Sequence, residues 1–293
     1  MFGHATVEEK RVLTKRQVEL IKMLPYRAIS RLWGQVHDKE LYPLDHYRNL
    51  GQFFSRPLKP GARLIVSDEN HLASPVDAVV ATFGRVSVTK GNHMLEQIKG
   101  VRCRMDEFLG TRDLNINPDA PLLSKISNTR LYHCVLYLAP GDYHRIHGSE
   151  DWTIFERRHF PGNLFSVNSV AARLIPGLFV ENERVALLGS WKYGFFSMTA
   201  VGATNVGSIA LCMEPDFKTN SKAHDEDFSR NIAQIRQYER PIRALRGQER
   251  ALFKLGSTVV LIFEAPENFE FCVQEGQKVR LGSSIGHSTK PAN

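Results

Sequence analysis

Three stretches carry side chains whose types and spacing could do chemistry. The first is Leu255-Gly256-Ser257-Thr258, directly before the apolar run Val259-Val260-Leu261-Ile262-Phe263. Glycine before a serine leaves the preceding carbonyl unshielded and the backbone free to take unusual dihedrals. A serine hydroxyl can attack that carbonyl once a base removes its proton. A Gly-Ser step into a strand is also an ordinary turn. The second stretch, Tyr137 to His147, leaves a strand and enters a loop that holds His144 and His147. Histidine titrates near neutrality, so either ring could move a proton. A metal pair is the weaker reading, because no third ligand stands at zinc spacing. Two loop histidines that merely hydrogen-bond locally are the plain alternative. The third stretch is Ser74-Pro75-Val76-Asp77-Ala78. Asp77 could orient a histidine as the acid of a Ser-His-Asp triad does, or simply close a turn after proline. Spacing alone does not bring 77, 147 and 257 together.

The elements that must position these groups are mostly strands. Val79–Phe83, His133–Leu138, Arg184–Leu188, Phe195–Val201, Val206–Leu211 and Thr258–Phe263 are short β-branched and aromatic runs bounded by turn residues. Gly276, Gly282 and Gly286 punctuate the last stretch at turn spacing. Residues 214–243 are polar and weakly periodic, and read as a long surface excursion, partly helical. The first 55 residues read as helical, with Pro25 dividing them. Beyond it Ala28, Ile29, Leu32 and Trp33 share an apolar face flanked by Arg27 and Arg31, a pattern that suits a membrane interface as well as a packed helix. A short helix is expected over Asp45–Phe54. The expected fold is α+β, mainly β: a compact antiparallel sandwich or barrel-like core with N-terminal amphipathic helices. The division is a membrane-associating segment over 1–55 and a catalytic part over 56–293.

Bulk composition narrows the partners. The 293 residues are 42% apolar and 24% charged, enough for a real core. Thirty-eight Lys and Arg against thirty-one Asp and Glu give +7, which favours an anionic surface or a solvated basic one. Cys103, Cys134, Cys212 and Cys272 form no CxxC pair and read as buried thiols, not as a disulfide or zinc framework. No run approaches the ~20 apolar residues of a spanning helix, and the N-terminus lacks a recognisable secretory signal.

Taken in order, the three stretches resemble the phosphatidylserine decarboxylase family. Ser74-Pro75-x-Asp77, Pro140-x-Asp142-Tyr143-His144-Arg145-x-His147, and Arg246-Gly247-x-Glu249 with Phe253 and Leu255-Gly256-Ser257-Thr258 look like its three signatures. Phe160-Pro161-Gly162-x-Leu164-x-Ser166-Val167-Asn168, Asn182-Glu183-Arg184-Val185 and Val201-Gly202-Ala203-Thr204 look like its connecting segments. The likeness spans roughly residues 45–290, and the mitochondrial branch looks closest, especially at His46-Tyr47-Arg48-Asn49-Leu50. Ala78 and Ala251 stand where the family usually has glycine, and Gly148-Ser149 follows His147 where a proline is often near.

The resemblance implies that Asp77 orients His147 and that His147 deprotonates Ser257. Ser257 then attacks the Gly256 carbonyl, and the chain splits into 1–256 and 257–293, which stay associated. It implies a covalent pyruvoyl cofactor made from Ser257, with His144 as general acid in turnover. Phosphatidylserine is the implied substrate and an anionic membrane the implied surface, with neither metal nor nucleic acid. The implied place is the mitochondrial inner membrane, with a bacterial cytoplasmic membrane as the alternative; a homodimer is left open. Two other readings use the same residues: a Ser-His-Asp hydrolase with a free Ser257, and a non-catalytic lipid-binding relative.

Overall fold

The computed structural model describes residues 41–42, 46–47, 50–90, 92–98, 100–110, 128–167, 169–203, 209–217, 219–220, 233–253 and 257–289. The basic helices expected before residue 41 lie outside the described residues. The strands run in chain order as β1 (His71–Ala73), β2 (Ala78–Arg85), β3 (Ser87–Thr89), β4 (Asn92–Ile98), β5 (Val101–Arg104), β6 (Thr129–Leu138), β7 (Arg145–His147) and β8 (Trp152–Phe160). They continue as β9 (Arg184–Trp191), β10 (Gly194–Val201), β11 (Ile209–Leu211), β12 (Gln234–Ala244) and β13 (Glu249–Phe253). The last are β14 (Ser257–Pro266), β15 (Phe269–Phe271), β16 (Lys278–Val279) and β17 (Ser284–Ser288). Among the described residues four short helices accompany them: α1 (Leu50–Phe54), α2 (Met105–Leu109), α3 (Ser169–Leu174) and α4 (Leu178–Glu181).

Eight strands form one antiparallel sheet in the order β12-β8-β9-β10-β14-β6-β2-β16. Smaller sheets of three strands each, β1-β17-β15, β11-β13-β7 and β3-β4-β5, surround it. The fold is mainly β and antiparallel, as the alternation of short apolar runs requires. Among the described residues the large sheet ends at β12 and β16 and does not close into a barrel.

Central position explains the composition of β14. It lies between β10 and β6, and Val259 to Phe263 are essentially inaccessible to solvent. A strand covered on both faces reads as a continuous apolar run, not an alternating one. On one face Phe263 meets Trp191, Tyr132, Phe269 and Phe271 at ring centroid distances of 5.2 to 6.3 Å, so β15 caps this face. Phe263→Ala should therefore cost about 3–5 kcal/mol. The measurement is a urea midpoint on the Ser257→Ala chain, so that one covalent chain unfolds. A loss below ~1 kcal/mol would mean that the ring cluster relaxes around the gap.

At β8 and β9 the sheet carries α2, held through two buried arginines. Arg184 donates to the Phe108 and Glu107 carbonyls at 2.8 and 3.0 Å and lies over the Phe160 ring at 3.9 Å. Arg158 donates to the Leu109 carbonyl at 2.5 Å and pairs with Glu156. Burial pushes the Arg184 guanidinium down to about 9. Arg157 and Arg158 are the reason β8, Trp-Thr-Ile-Phe-Glu-Arg-Arg-His-Phe, does not read as a strand: both charges are buried, against the usual pattern.

Three other expectations change. Part of the 214–243 excursion is β12, an eleven-residue edge strand on β8, and residues 221–232 lie outside the described set. Its Arg236, Arg240, Arg243 and Pro241 disguise it, and such residues are what an unpaired edge tolerates. The run expected over 206–211 is a strand at Ile209–Leu211, its first residues again outside the described set. Cys103 and Cys134 are buried, but Cys212 and Cys272 are exposed, each lying just past the end of a short strand.

Candidate active site

The C-terminal end of β6, the start of β14 and the end of β10 share one end of the large sheet. Ser257 pairs with Leu138, and Thr258 pairs with both Tyr137 and Val201. Gly256 lies outside the described residues. Three residues earlier, the Phe253 N–H donates to the His144 carbonyl at 2.9 Å. Phe253, which ends β13, is thus bonded to the histidine loop, and Ser257, which opens β14, pairs with the residue that ends β6 just before that loop.

That loop folds by local rules. Asp142 accepts the Ala139 N–H on its carboxylate at 2.8 Å, and its own N–H donates to the Ala139 carbonyl at 2.9 Å. An Asp side chain that bonds back to the main chain is a standard way to close such a turn. Burial raises the Asp142 pKa. Arg145 then braces the loop: it donates to both Glu249 oxygens at 2.9 Å and, through Nε, to the Ser55 carbonyl at 2.8 Å. The last contact seats α1, whose Phe54 ring lies 4.3 Å from the His144 ring.

His144 is fully buried. Its Nδ1 is 2.7 Å from the Asp142 carbonyl, which can only accept, so Nδ1 carries the proton. Nε2 is then bare, and it is buried without a hydrogen-bond partner. Burial pushes the imidazole down to about 3, against the pull of the Asp142 carbonyl, and Arg56 pushes the same way. The ring is neutral at physiological pH.

His147 is held at both nitrogens. Nδ1 donates to the Gly247 carbonyl at 2.8 Å, and Nε2 accepts the Tyr143 hydroxyl at 3.1 Å. Burial lowers its pKa too, opposed by the Gly247 carbonyl, Glu249 and Asp77.

Asp77 lies beside this ring but does not bond to it. The His147 N–H donates to the Pro75 carbonyl at 2.9 Å, which brings the two segments together. The Asp77 carboxylate is taken by Arg63, whose Nε lies 2.8 and 3.2 Å from its two oxygens and whose Nη2 also pairs with it. The Leu281 N–H adds a third donor at 2.8 Å. The expected direct Asp77–His147 bond is thus replaced by an Arg63 pair, while the carboxylate's charge still favours the protonated imidazole.

The structure gathers Asp77, His144, His147 and the start of β14 around one loop. It also adds Arg63, Tyr143 and Gly247, which were not singled out from sequence. Tyr143 and Gly247 stand inside recognisable motifs; Arg63 follows Pro60-Gly61 in a turn with no chemical signature of its own.

Comparison with known proteins agrees with this layout. The profile of the phosphatidylserine decarboxylase family matches residues 50–287. The chain belongs to that family of enzymes. It is 42% identical to the mitochondrial phosphatidylserine decarboxylase proenzyme of Cricetulus griseus, over 92% of this chain and 74% of that protein. It is 36% identical to the mitochondrial proenzyme 1 of Saccharomyces cerevisiae, over 90% and 72%, and to that of Arabidopsis thaliana, over 95% and 78%. For this member of the family, the matched span takes in all three stretches singled out from the sequence, and α1 at its start.

Proposed function

We propose that this chain decarboxylates phosphatidylserine to phosphatidylethanolamine, with a pyruvoyl group made from its own Ser257. The observation that carries the reading is the bracketing of the Gly256–Ser257 step. Phe253 is bonded to His144 on one side and Ser257 is paired with Leu138 on the other, against a loop with two proton-accepting imidazoles.

In maturation, the Tyr143 hydroxyl gives up His147 Nε2, which takes the Ser257 hydroxyl proton. The Ser257 oxygen attacks the Gly256 carbonyl carbon, the Gly256–Ser257 C–N bond breaks, and an ester joins the two halves. Loss of the Ser257 α-proton expels the Gly256 carboxylate and leaves dehydroalanine. Water adds, ammonia leaves, and a pyruvoyl group caps β14. Asp77 supports this through space, because its negative charge favours the imidazolium formed at His147.

The short fragment would stay in place. It contributes β14 to the middle of the large sheet, β16 to its edge and β17 beside β1. Burial of Val259 to Phe263 alone is worth on the order of 10 kcal/mol.

The site fits the group. A carbonyl at the head of β14 would sit beside the His144 loop, where a buried ring nitrogen has no hydrogen-bond partner. Once formed, the pyruvoyl group supplies the electron sink for loss of carbon dioxide. His144 moves the proton at Nε2, and its ring is buried beside that of Phe54. Among the described residues no helix is long and apolar enough to cross a membrane. The N-terminal segment, with seven Lys and Arg before Trp33, is proposed as the attachment to anionic lipid. The relatives cited are named mitochondrial, which supports the mitochondrion as the place of action, with its inner membrane the proposed surface.

The test is release of labelled carbon dioxide from carboxyl-labelled phosphatidylserine in vesicles, with headgroup analysis of the product. No release from a matured chain would sink the reading. Maturation should also follow pH with a definite sign. His147 serves as base only when neutral, and burial sets its pKa below the ordinary value near 6.5. The cleavage rate should hold from neutral into mildly acid solution and fall only as pH drops through that lowered pKa. Asp77→Asn, which removes the supporting charge, should slow cleavage about 10-fold, roughly 1.4 kcal/mol in the barrier. A rate that falls already above pH 7 would exclude a depressed histidine as the base.

A further inference from the structure

His147 poses a question that Asp77 does not answer. In a Ser-His-Asp arrangement a carboxylate holds Nδ1–H and so keeps the opposite nitrogen basic. Here that carboxylate is engaged by Arg63 and the Leu281 N–H. The group on Nδ1 is the Gly247 carbonyl, at 2.8 Å.

The direction of that carbonyl is tightly determined. Gly247 has φ +73°, a region that favours glycine, and an added Cβ would lie 3.0 Å from the Ile65 side chain. Its N–H donates to the Gly148 carbonyl at 2.7 Å, and the Gly148 N–H donates to the Gln248 carbonyl at 2.9 Å. Next to it, Arg246 uses every N–H of its guanidinium. It donates to the Val66, Asp68 and His71 carbonyls at 2.8, 2.7 and 2.9 Å, and to the two Glu150 oxygens at 3.2 and 2.5 Å. Its own backbone N–H donates to Asp151 at 2.8 Å. A planar fork meeting three carbonyls and one carboxylate fixes its own main chain in position and rotation.

We propose that Arg246 is a positioning residue for maturation: by clamping the 246–247 backbone it aims the Gly247 carbonyl at His147 Nδ1 and fixes the tautomer in which Nε2 accepts the Ser257 proton. This rests on the reading of His147 as the base. Arg246 touches none of the reacting atoms and acts through Gly247. Lysine cannot replace it, because one ammonium cannot span carbonyls on Val66, Asp68 and His71 together with Glu150.

The experiment uses the full chain with Ser257→Ala, which should remain in one piece, and nitrogen NMR of labelled histidine. His147 is expected to show a proton on Nδ1 and a bare Nε2 at neutral pH. Adding Arg246→Lys should turn this single form into a mixture. In the otherwise native chain, Arg246→Lys should slow self-cleavage on the order of 10²-fold, within the range that general-base help supplies. A proton on Nε2 in the Ser257→Ala chain overturns the carbonyl assignment. Arg246→Lys that keeps the tautomer and the native cleavage rate overturns the role of Arg246. If Arg246→Lys loses cooperative melting, Glu150→Gln takes its place. It is expected to give a weaker slowing with the same tautomer loss, and an unchanged tautomer and rate there count equally against the clamp. A His147→Ala chain that matures normally would overturn the base reading instead, so the two failures are distinct.

Discussion

Ser257→Ala is expected to leave the chain whole, as one band of 33.2 kDa on a denaturing gel, where the native chain gives two. No other proposed step survives the change, because a methyl group has no oxygen with which to attack the Gly256 carbonyl. The effect is therefore all or none. The native products carry a second signature. A pyruvoyl-capped fragment beginning at 257 has no free N-terminal amine and gains two mass units on borohydride reduction, whereas simple hydrolysis would leave an ordinary serine amine. Under native conditions the two pieces should elute together, since β14 is held by β6 along its whole length and by β10 over Thr258–Phe263. Cleavage at the same bond in Ser257→Ala would rule out the serine mechanism. A native chain that stays whole would favour a hydrolase with a free serine or a non-catalytic relative.

Much of this was legible in the sequence because local signals and global fold agree. The run Val259 to Phe263 announces a covered strand, and it is the middle of the large sheet. Of the glycines expected at turns, Gly276 and Gly282 take positive φ, whereas Gly286 lies within β17. The chemically distinctive side chains, two histidines three residues apart and a serine after glycine, stand out by type. What was not legible depends on tertiary partners. β8 carries Arg157 and Arg158 at positions a sequence pattern assigns to solvent, and only the α2 carbonyls and buried acids explain them. The same holds for Asp77. Its type and place suggest a triad acid, but the partner it takes is Arg63, fourteen residues earlier in an undistinguished turn. A carbonyl such as that of Gly247 has no side-chain signature, so its hold on His147 appears only in three dimensions.

His144→Ala is expected to separate maturation from turnover: the chain should still divide, and should lose decarboxylation by ~10² to 10⁴. Maturation survives because what His144 gives to the cleavage segment is its main-chain carbonyl, bonded to the Phe253 N–H, and alanine keeps that carbonyl. The base proposed for Ser257 is His147, whose two nitrogens are held by Gly247 and Tyr143 and not by His144. Turnover is different. The substrate brings an ammonium proton that must leave before its amine can react, and the carbon that loses carboxylate must later gain a proton. A neutral ring with a bare, buried Nε2 can accept the first proton and deliver the second. Burial pushes the pKa of the ring down, so it rests neutral with its Nε2 unprotonated. In this proposal His144 takes up a proton before it donates one. The readout is double, gel bands for maturation and carbon dioxide with headgroup analysis for turnover. Melting of the variant checks that the Phe54 contact tolerates the smaller side chain. Turnover at the native rate would make His144 a structural loop residue. A chain that no longer divides would place it in the maturation step alongside His147, and the separation of roles proposed here would be wrong.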